Sequence, residues 1–214
     1  MIHPVIIGPK TRLARELMAR MSQRSKEFAQ ATVVARNESE GLALRSQFPK
    51  TAVIDCCQAL PSCAPGRLAL FVCALGPVQA RIEGESRQVI SAIEREVTCV
   101  HQLLSRQPHD ALSLIFVSSV LAWSSDVNRF LYSGAKRLGE SALRDVASAH
   151  CASTFSAIYP GRLVAERRWS QPTTLLATRY SAVAELMLNL VLEKPQTRII
   201  GWDARLHLMR GWFS

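Results

Sequence analysis

The run Ile2-His3-Pro4-Val5-Ile6-Ile7-Gly8-Pro9-Lys10-Thr11-Arg12-Leu13-Ala14 decides the fold. His3 to Ile7 is a short apolar stretch that stops at Gly8. From Arg12 to Met21, residues Leu13, Leu17, Met18 and Met21 fall on one helical face. A strand that turns on glycine straight into a helix leaves unpaired backbone N–H groups at the turn. The helix N-terminus also carries partial positive charge, so such a turn suits an anionic group.

Working outward, the same two patterns alternate. Ala31 to Ala35 reads as a strand, Glu38 to Gln47 as a helix closed by Pro49, and Ala52 to Ile54 as a short strand. Residues 57–66 hold Pro61, Ser62, Pro65 and Gly66 and read as loop. Leu68 to Cys73 is a continuous apolar run, as expected of a strand buried on both faces. Glu85 to Arg106 carries Val89, Ile90, Ile93, Val97, Val100, Leu103 and Leu104 at helical spacing. Leu112 to Val117 predicts a strand, Arg129 to His150 a helix and Thr154 to Ile158 a strand. Pro160-Gly161 then breaks the chain, and residues 162–178 read as irregular. Ser181 to Glu193 predicts a helix and Thr197 to Ile200 a last strand.

This order predicts an α/β chain: a doubly wound parallel sheet, the Rossmann fold, in three α/β/α layers with right-handed crossovers. No internal repeat, low-complexity tract or linker interrupts it, so one domain is expected over residues 1–214. Ligands of such sheets bind beyond the carboxyl ends of the strands.

Composition narrows the function classes. The chain has 214 residues, 48% apolar and 20% charged, which excludes global disorder. Leu68 to Ala80, the longest nearly uncharged apolar stretch, is too short to span a bilayer, so no membrane role is expected. Met1 to Gly8 has neither a basic region nor a long apolar one, so no signal peptide is read and the expected location is the cytoplasm. Lys and Arg number 26 against 17 Asp and Glu, a net charge of +9, which favours anionic partners. The chain lacks a helix-turn-helix pattern, zinc ligands and an aromatic-basic strand motif, so nucleic acid is not the expected partner. Cys56, Cys57 and Cys63 form no Cys-x-x-Cys pair, and the five His are dispersed, so no metal site is expected.

The first turn is the candidate phosphate loop. Against a G-x-x-G-x-x-G spacing only Gly8 matches, with Thr11 and Ala14 at the second and third places. Ala14 still permits close helix–strand packing. The Thr11 side chain intrudes where a backbone would approach phosphates, although its hydroxyl offers a hydrogen bond to one. Arg12 and Leu13 complete the loop. After the second strand, an acidic residue would bind the ribose 2′-hydroxyl of NAD. Here the residues are Arg36 and Asn37, and Arg36 with Lys10 suits the 2′-phosphate of NADP. Asp55, after the third strand, has two readings: an acceptor for an adenine amino group, or a strand-end turn residue.

Phe116-Val117-Ser118-Ser119-Val120 ends a buried strand, and thirteen residues beyond Ser119 comes Tyr132-Ser133-Gly134-Ala135-Lys136. Tyr and Lys at i, i+4 share one helix face. With 3 Tyr and 5 Lys in 214 residues, chance gives about 0.07 such pairs. A neighbouring ammonium favours the phenolate and is expected to lower the Tyr132 pKa. Tyr132 then exchanges a proton with a carbonyl or hydroxyl, and a Ser119 hydroxyl holds the same oxygen.

With Ser119, Tyr132 and Lys136 in this order and spacing, the chain resembles the short-chain dehydrogenase/reductase family over nearly its whole length. Tyr159-Pro160-Gly161 looks like that family's Pro-Gly turn beside the nicotinamide, and Cys73-Ala74-Leu75 looks like its segment after the fourth strand. Residues 181–200 resemble the extended or atypical branches, which include sugar-nucleotide enzymes. The resemblance implies an NADP-dependent oxidoreductase interconverting a carbonyl and an alcohol, with Tyr132 as acid/base, Ser119 as oxygen-holding donor and Lys136 as pKa tuner and ribose anchor. It also implies a homo-oligomer, with the apolar Val89–Leu104 and Leu138–Val146 faces as candidate contacts. Two departures are visible: the glycine loop is degraded, and Glu96 stands where the family often has Asn. They motivate an alternative, a non-catalytic NADP-binding sensor or scaffold. With no room for a large substrate domain, the small-molecule pocket is expected from the loops at 120–131 and 162–178. Arg162, Arg167, Arg168 and Trp169 suit an anionic or aromatic substrate; the plainer reading is a solvated charged loop.

Overall fold

A computed structural model of the chain describes residues 1–35, 37–49, 51–55, 67–74, 86–105, 111–123, 130–150, 153–166 and 172–212. Strand β1 (Ile2–Ile7) leads to α1 (Arg12–Gln23), followed by β2 (Thr32–Ala35), α2 (Glu38–Gln47), β3 (Ala52–Asp55) and β4 (Arg67–Val72). Then come α3 (Ser86–Ser105), β5 (Ala111–Val117), a 3-10 turn (Val120–Trp123), α4 (Phe130–Ala149) and β6 (Ser153–Pro160). The chain continues through β7 (Leu163–Val164), α5 (Pro172–Leu175), β8 (Thr178–Arg179), α6 (Tyr180–Leu192), β9 (Thr197–Ile200) and α7 (Trp202–Trp212).

Seven strands form one parallel sheet in the order β3-β2-β1-β4-β5-β6-β9. The order reverses between β1 and β4, which is where a doubly wound sheet opens its crevice. Side chains alternate across the sheet with a period of two. Ile6, Phe71 and Ile115 face the layer that holds Leu13 and Leu17 of α1 and Met187 and Val191 of α6. Val5, Leu70, Leu114 and Phe116 face the layer of α3 and α4, against Ile93, Val100 and Leu143. The expected three-layer Rossmann architecture is therefore present.

Three features depart from the sequence reading. Residues 162–178 are not irregular throughout. Leu163–Val164 pairs in parallel with Thr178–Arg179, and Pro172–Leu175 forms a short helix. Two-residue strands carry too little pattern to be read from sequence. Val120–Trp123 is a 3-10 turn inside the expected loop. Helix α7 was not anticipated, because Trp202, Leu206 and Met209 are exposed and only a small apolar residue, Ala204, is fully buried.

Gly8 fixes how closely β1 and β4 approach at the crevice. Its φ is +77°, in the left-handed region. A Cβ there would lie 2.8 Å from Ala74 Cβ and 2.9 Å from Ala74 N. Gly8→Ala is therefore expected to cost about 2–3 kcal/mol from strain and overlap, read as a lowered urea midpoint. An unchanged midpoint contradicts this account of the crevice.

Candidate active site

A cavity of about 330 Å³ lies beyond the carboxyl ends of β1, β4, β5 and β6. Thr11, Arg12 and Leu13 reach it from the β1–α1 turn, and Cys73 and Ala74 from the end of β4. Val117, Ser118 and Ser119 come from the end of β5, and Tyr132 and Lys136 from α4. Pro160, Gly161 and Leu163 close it after β6, with Tyr180 at the start of α6.

At α1, the Thr11 hydroxyl donates to Gly8 O at 3.0 Å and accepts from Ala14 N at 3.1 Å. It is the helix N-cap. Its one proton is committed to Gly8, so the expected hydroxyl donation to a phosphate is corrected. The Arg12 and Leu13 N–H groups, at the first two helical positions, have no intrahelical acceptor and remain for an anion. The Arg12 guanidinium lies 5.6 Å from the Tyr180 ring centroid.

Ser119, Tyr132 and Lys136 converge as the spacing predicts. Ser119 lies close enough to Tyr132 on the cavity wall for its hydroxyl to favour the phenolate. Lys136 Nζ lies 5.6 Å from the Tyr132 ring centroid and 5.9 Å from that of Phe116. Their relative exposures are 7%, 8% and 5%, so the protein has removed most water from all three. That burial decides the protonation chemistry. It pushes the Tyr132 pKa up, and the Ser119 hydroxyl only partly opposes it. The expected lowering by Lys136 is thus corrected. Burial brings Lys136 down to about 8, against the attraction of Glu96, which is itself buried on α3. Burial also raises the Cys73 thiol to about 12, so Cys73 is an apolar wall and not a nucleophile.

The other predicted residues that the structure describes do not line this cavity. Gly8 sets the crevice. Lys10 is half exposed, with Nζ 3.3 Å from Glu40 Oε1. Asn37 caps α2, its Oδ1 accepting from Glu40 N at 2.9 Å. Asp55 ends β3. Arg162 is exposed. Arg36, Leu75, Arg167, Arg168 and Trp169 lie outside the described residues, as do 124–129 of the first expected substrate loop.

Two contributions were missed. Ser118 Oγ is buried on the cavity wall without a hydrogen-bond partner among the described residues. Its place beside Ser119 at the strand end was the available signal. Tyr159 stacks on Trp123, centroids 4.1 Å apart, and its hydroxyl donates to Glu140, which also pairs with Arg144 at 3.1 Å. This web ties the turn after Ser119, the end of β6 and the Tyr132 helix into one body. Among the described residues no His, Cys, Asp or Glu group could hold a metal ion, and no helix is long and apolar enough to cross a membrane.

No family model and no curated protein matches the chain. Solved structures do match in fold. A short-chain dehydrogenase/reductase from Vibrio parahaemolyticus is 14% identical, with a TM-score of 0.63 over 94% of this chain and 98% of that one. A glucose/ribitol dehydrogenase of the same type from Brucella melitensis is also 14% identical, with a TM-score of 0.64 over 92% and 94%. The aldohexose dehydrogenase of Thermoplasma acidophilum is 12% identical, with a TM-score of 0.59 over 95% and 94%. The chain thus has the fold of short-chain dehydrogenases/reductases.

The lowered Lys136 pKa makes a pH prediction. Below pH 8 both folded and unfolded chains hold this proton, and the burial cost is fully present. Between pH 8 and 10.5 the unfolded chain holds more protons at this position, so the term raises stability as pH rises. Relative to Lys136→Met, the unfolding free energy of the wild type is expected to climb by about 3 kcal/mol from pH 7 to 10. A flat difference across urea melts at these pH values counts against a desolvated ammonium.

Proposed function

We propose that this chain is an NADP-dependent oxidoreductase that interconverts a carbonyl and an alcohol. The observation that carries this reading is the meeting of Ser119, Tyr132 and Lys136 in one cavity with the open N-terminus of α1. The residues present fit a nicotinamide nucleotide. Arg12 and Leu13 offer free N–H groups to a pyrophosphate. Gly8 gives the close approach, and Ser118 Oγ is a buried polar atom still in need of a partner.

A bound nicotinamide supplies or takes up the hydride. Tyr132 gives its phenolic proton to the carbonyl oxygen as that oxygen gains charge, or takes it back in the reverse direction. Ser119 holds the same oxygen through a hydrogen bond. The Lys136 ammonium stabilises the phenolate left on Tyr132 and grips the ribose hydroxyls. Burial keeps Tyr132 protonated near neutral pH, which suits it to reduction. Pro160 and Gly161, on the cavity wall after β6, would lie beside the nicotinamide, as the resemblance implies.

Lys10 and Arg36, after β1 and β2, support NADP over NAD; a 2′-phosphate would compete with Glu40 for the Lys10 ammonium. Arg162, Arg167, Arg168 and Trp169 support a small anionic substrate, sugar-nucleotide-like in class. The alternative, a non-catalytic NADP-binding sensor or scaffold of the same fold, draws on Thr11 in the glycine loop and on the buried Glu96. It predicts NADPH-dependent partner binding without turnover.

Tyr132→Phe separates the two. If the chain is catalytic, this variant is expected to lose about 10³-fold in kcat over a panel of carbonyl compounds, with NADPH affinity kept. Equal turnover in wild type and variant removes Tyr132 as the acid. Turnover by neither, with NADPH bound by both, favours the sensor.

A further inference from the structure

One carboxylate from α7 reaches the turn that closes the cavity after β6, without itself lining the cavity. Asp203, the second residue of α7, accepts the backbone N–H of Arg162 on Oδ2 at 2.5 Å. Arg162 sits between Gly161 and Leu163, which both line the cavity. Two glycines make room for this carboxylate. A Cβ on Gly161 would lie 2.3 Å from Asp203 Oδ2 and 2.5 Å from Oδ1. A Cβ on Gly201 would lie 2.7 Å from Oδ1 and 2.1 Å from Thr178 Oγ1. Gly201 also has a φ of +107°, but Gly161 does not have a positive φ. Glycine at 161 therefore answers to the carboxylate and not to the backbone conformation.

On either side the turn is held by sheet pairing, Pro160 beside Ile200 and Leu163 beside Thr178. Pro160 has no N–H to donate, and Gly161 is the residue type with most backbone freedom. Beyond Arg162, Thr178 N donates to Arg162 O at 2.9 Å and Thr178 Oγ1 to Ile200 O at 3.2 Å. Asp203 Oδ1 is buried without a hydrogen-bond partner among the described residues. A charge-assisted bond from a distant helix thus tethers the stretch of the turn that lies between its two paired strands.

We propose that Asp203 is a positioning residue: it holds the Pro160–Gly161 turn against the cavity and sets the nucleotide affinity of a site it does not touch. The affinity half rests on the nicotinamide reading above; the tether itself does not.

The test compares the wild type with Asp203→Ala, Asp203→Asn and Ala204→Gly in the full chain. Ala204→Gly weakens α7 while leaving the Asp203 carboxylate in place and serves as the stability control. Two quantities are read: hydrogen exchange of segment 160–164 without nucleotide, and NADPH affinity from the quenching of protein fluorescence. Asp203→Ala is expected to speed exchange of 160–164 and to weaken NADPH binding, each about tenfold. Asp203→Asn is expected to restore both, because its side-chain carbonyl still accepts the Arg162 N–H. Ala204→Gly is expected to lower the melting temperature with affinity unchanged. If Asp203→Ala does not fold, Asp203→Ser, which lacks the second oxygen, replaces it. Unchanged exchange in Asp203→Ala, or in Asp203→Ser where that replaces it, overturns the tether. Equal loss of affinity in Ala204→Gly overturns the positioning role. A wild type that binds no NADPH defeats the nucleotide reading and with it the affinity half, while the exchange comparison still judges the tether.

Discussion

Helices cover both faces of the parallel sheet, and every other property of the molecule follows from that constraint. Ile6, Phe71 and Ile115 are buried on one side, and Val5, Leu70 and Leu114 on the other. No side chain in the middle of a strand can meet a ligand. Polar residues that must meet one are confined to strand ends and to the helix starts that follow them. All strands run the same way, so these ends share one rim. Four of them, from β1, β4, β5 and β6, contribute to a single cavity. Gly8 allows the β1 end to lie against Ala74 at the β4 end and so sets the width of the rim.

The same packing tunes the chemistry. Ser119, Tyr132 and Lys136 are nearly as buried as the apolar core around them. Desolvation disfavours whichever form carries charge, so it raises Tyr132 and lowers Lys136. The two shifts act in opposite senses on neighbouring groups and move their proton affinities apart: the tyrosine rises above its ordinary value while the ammonium falls to about 8. Glu96, buried on α3, opposes the Lys136 shift. A tyrosine held protonated beside an ammonium is an arrangement suited to give up a proton only when negative charge develops next to it.

Most of this fold was legible because long periodic segments speak plainly. Glu38–Gln47 and Thr197–Ile200 have the predicted bounds, and the other long helices and strands differ by a residue or two. The Tyr132–Lys136 pair was legible because one helical turn fixes its geometry whatever surrounds it. What the chain concealed was tertiary. Thr11 looked like a phosphate ligand, but only the structure shows its proton spent on Gly8 O. The sign of the Tyr132 shift depends on burial by residues distant in sequence, which no local spacing encodes. Asp203 and Gly161 are 42 positions apart and meet only because α7 returns beneath the rim. Strands of two residues, such as Leu163–Val164, fall below any periodicity.

The claim at the centre of this account is that the rim binds a nicotinamide nucleotide, with the phosphorylated form preferred. The most direct measurement is a thermal-shift comparison of NADPH with NADH on the full chain. At 100 times its dissociation constant a ligand adds about 2.7 kcal/mol to the folded state, a shift well above detection. The account predicts a clear rise in melting temperature with NADPH and a smaller one with NADH at equal concentration. A melting temperature that neither nucleotide moves would contradict it.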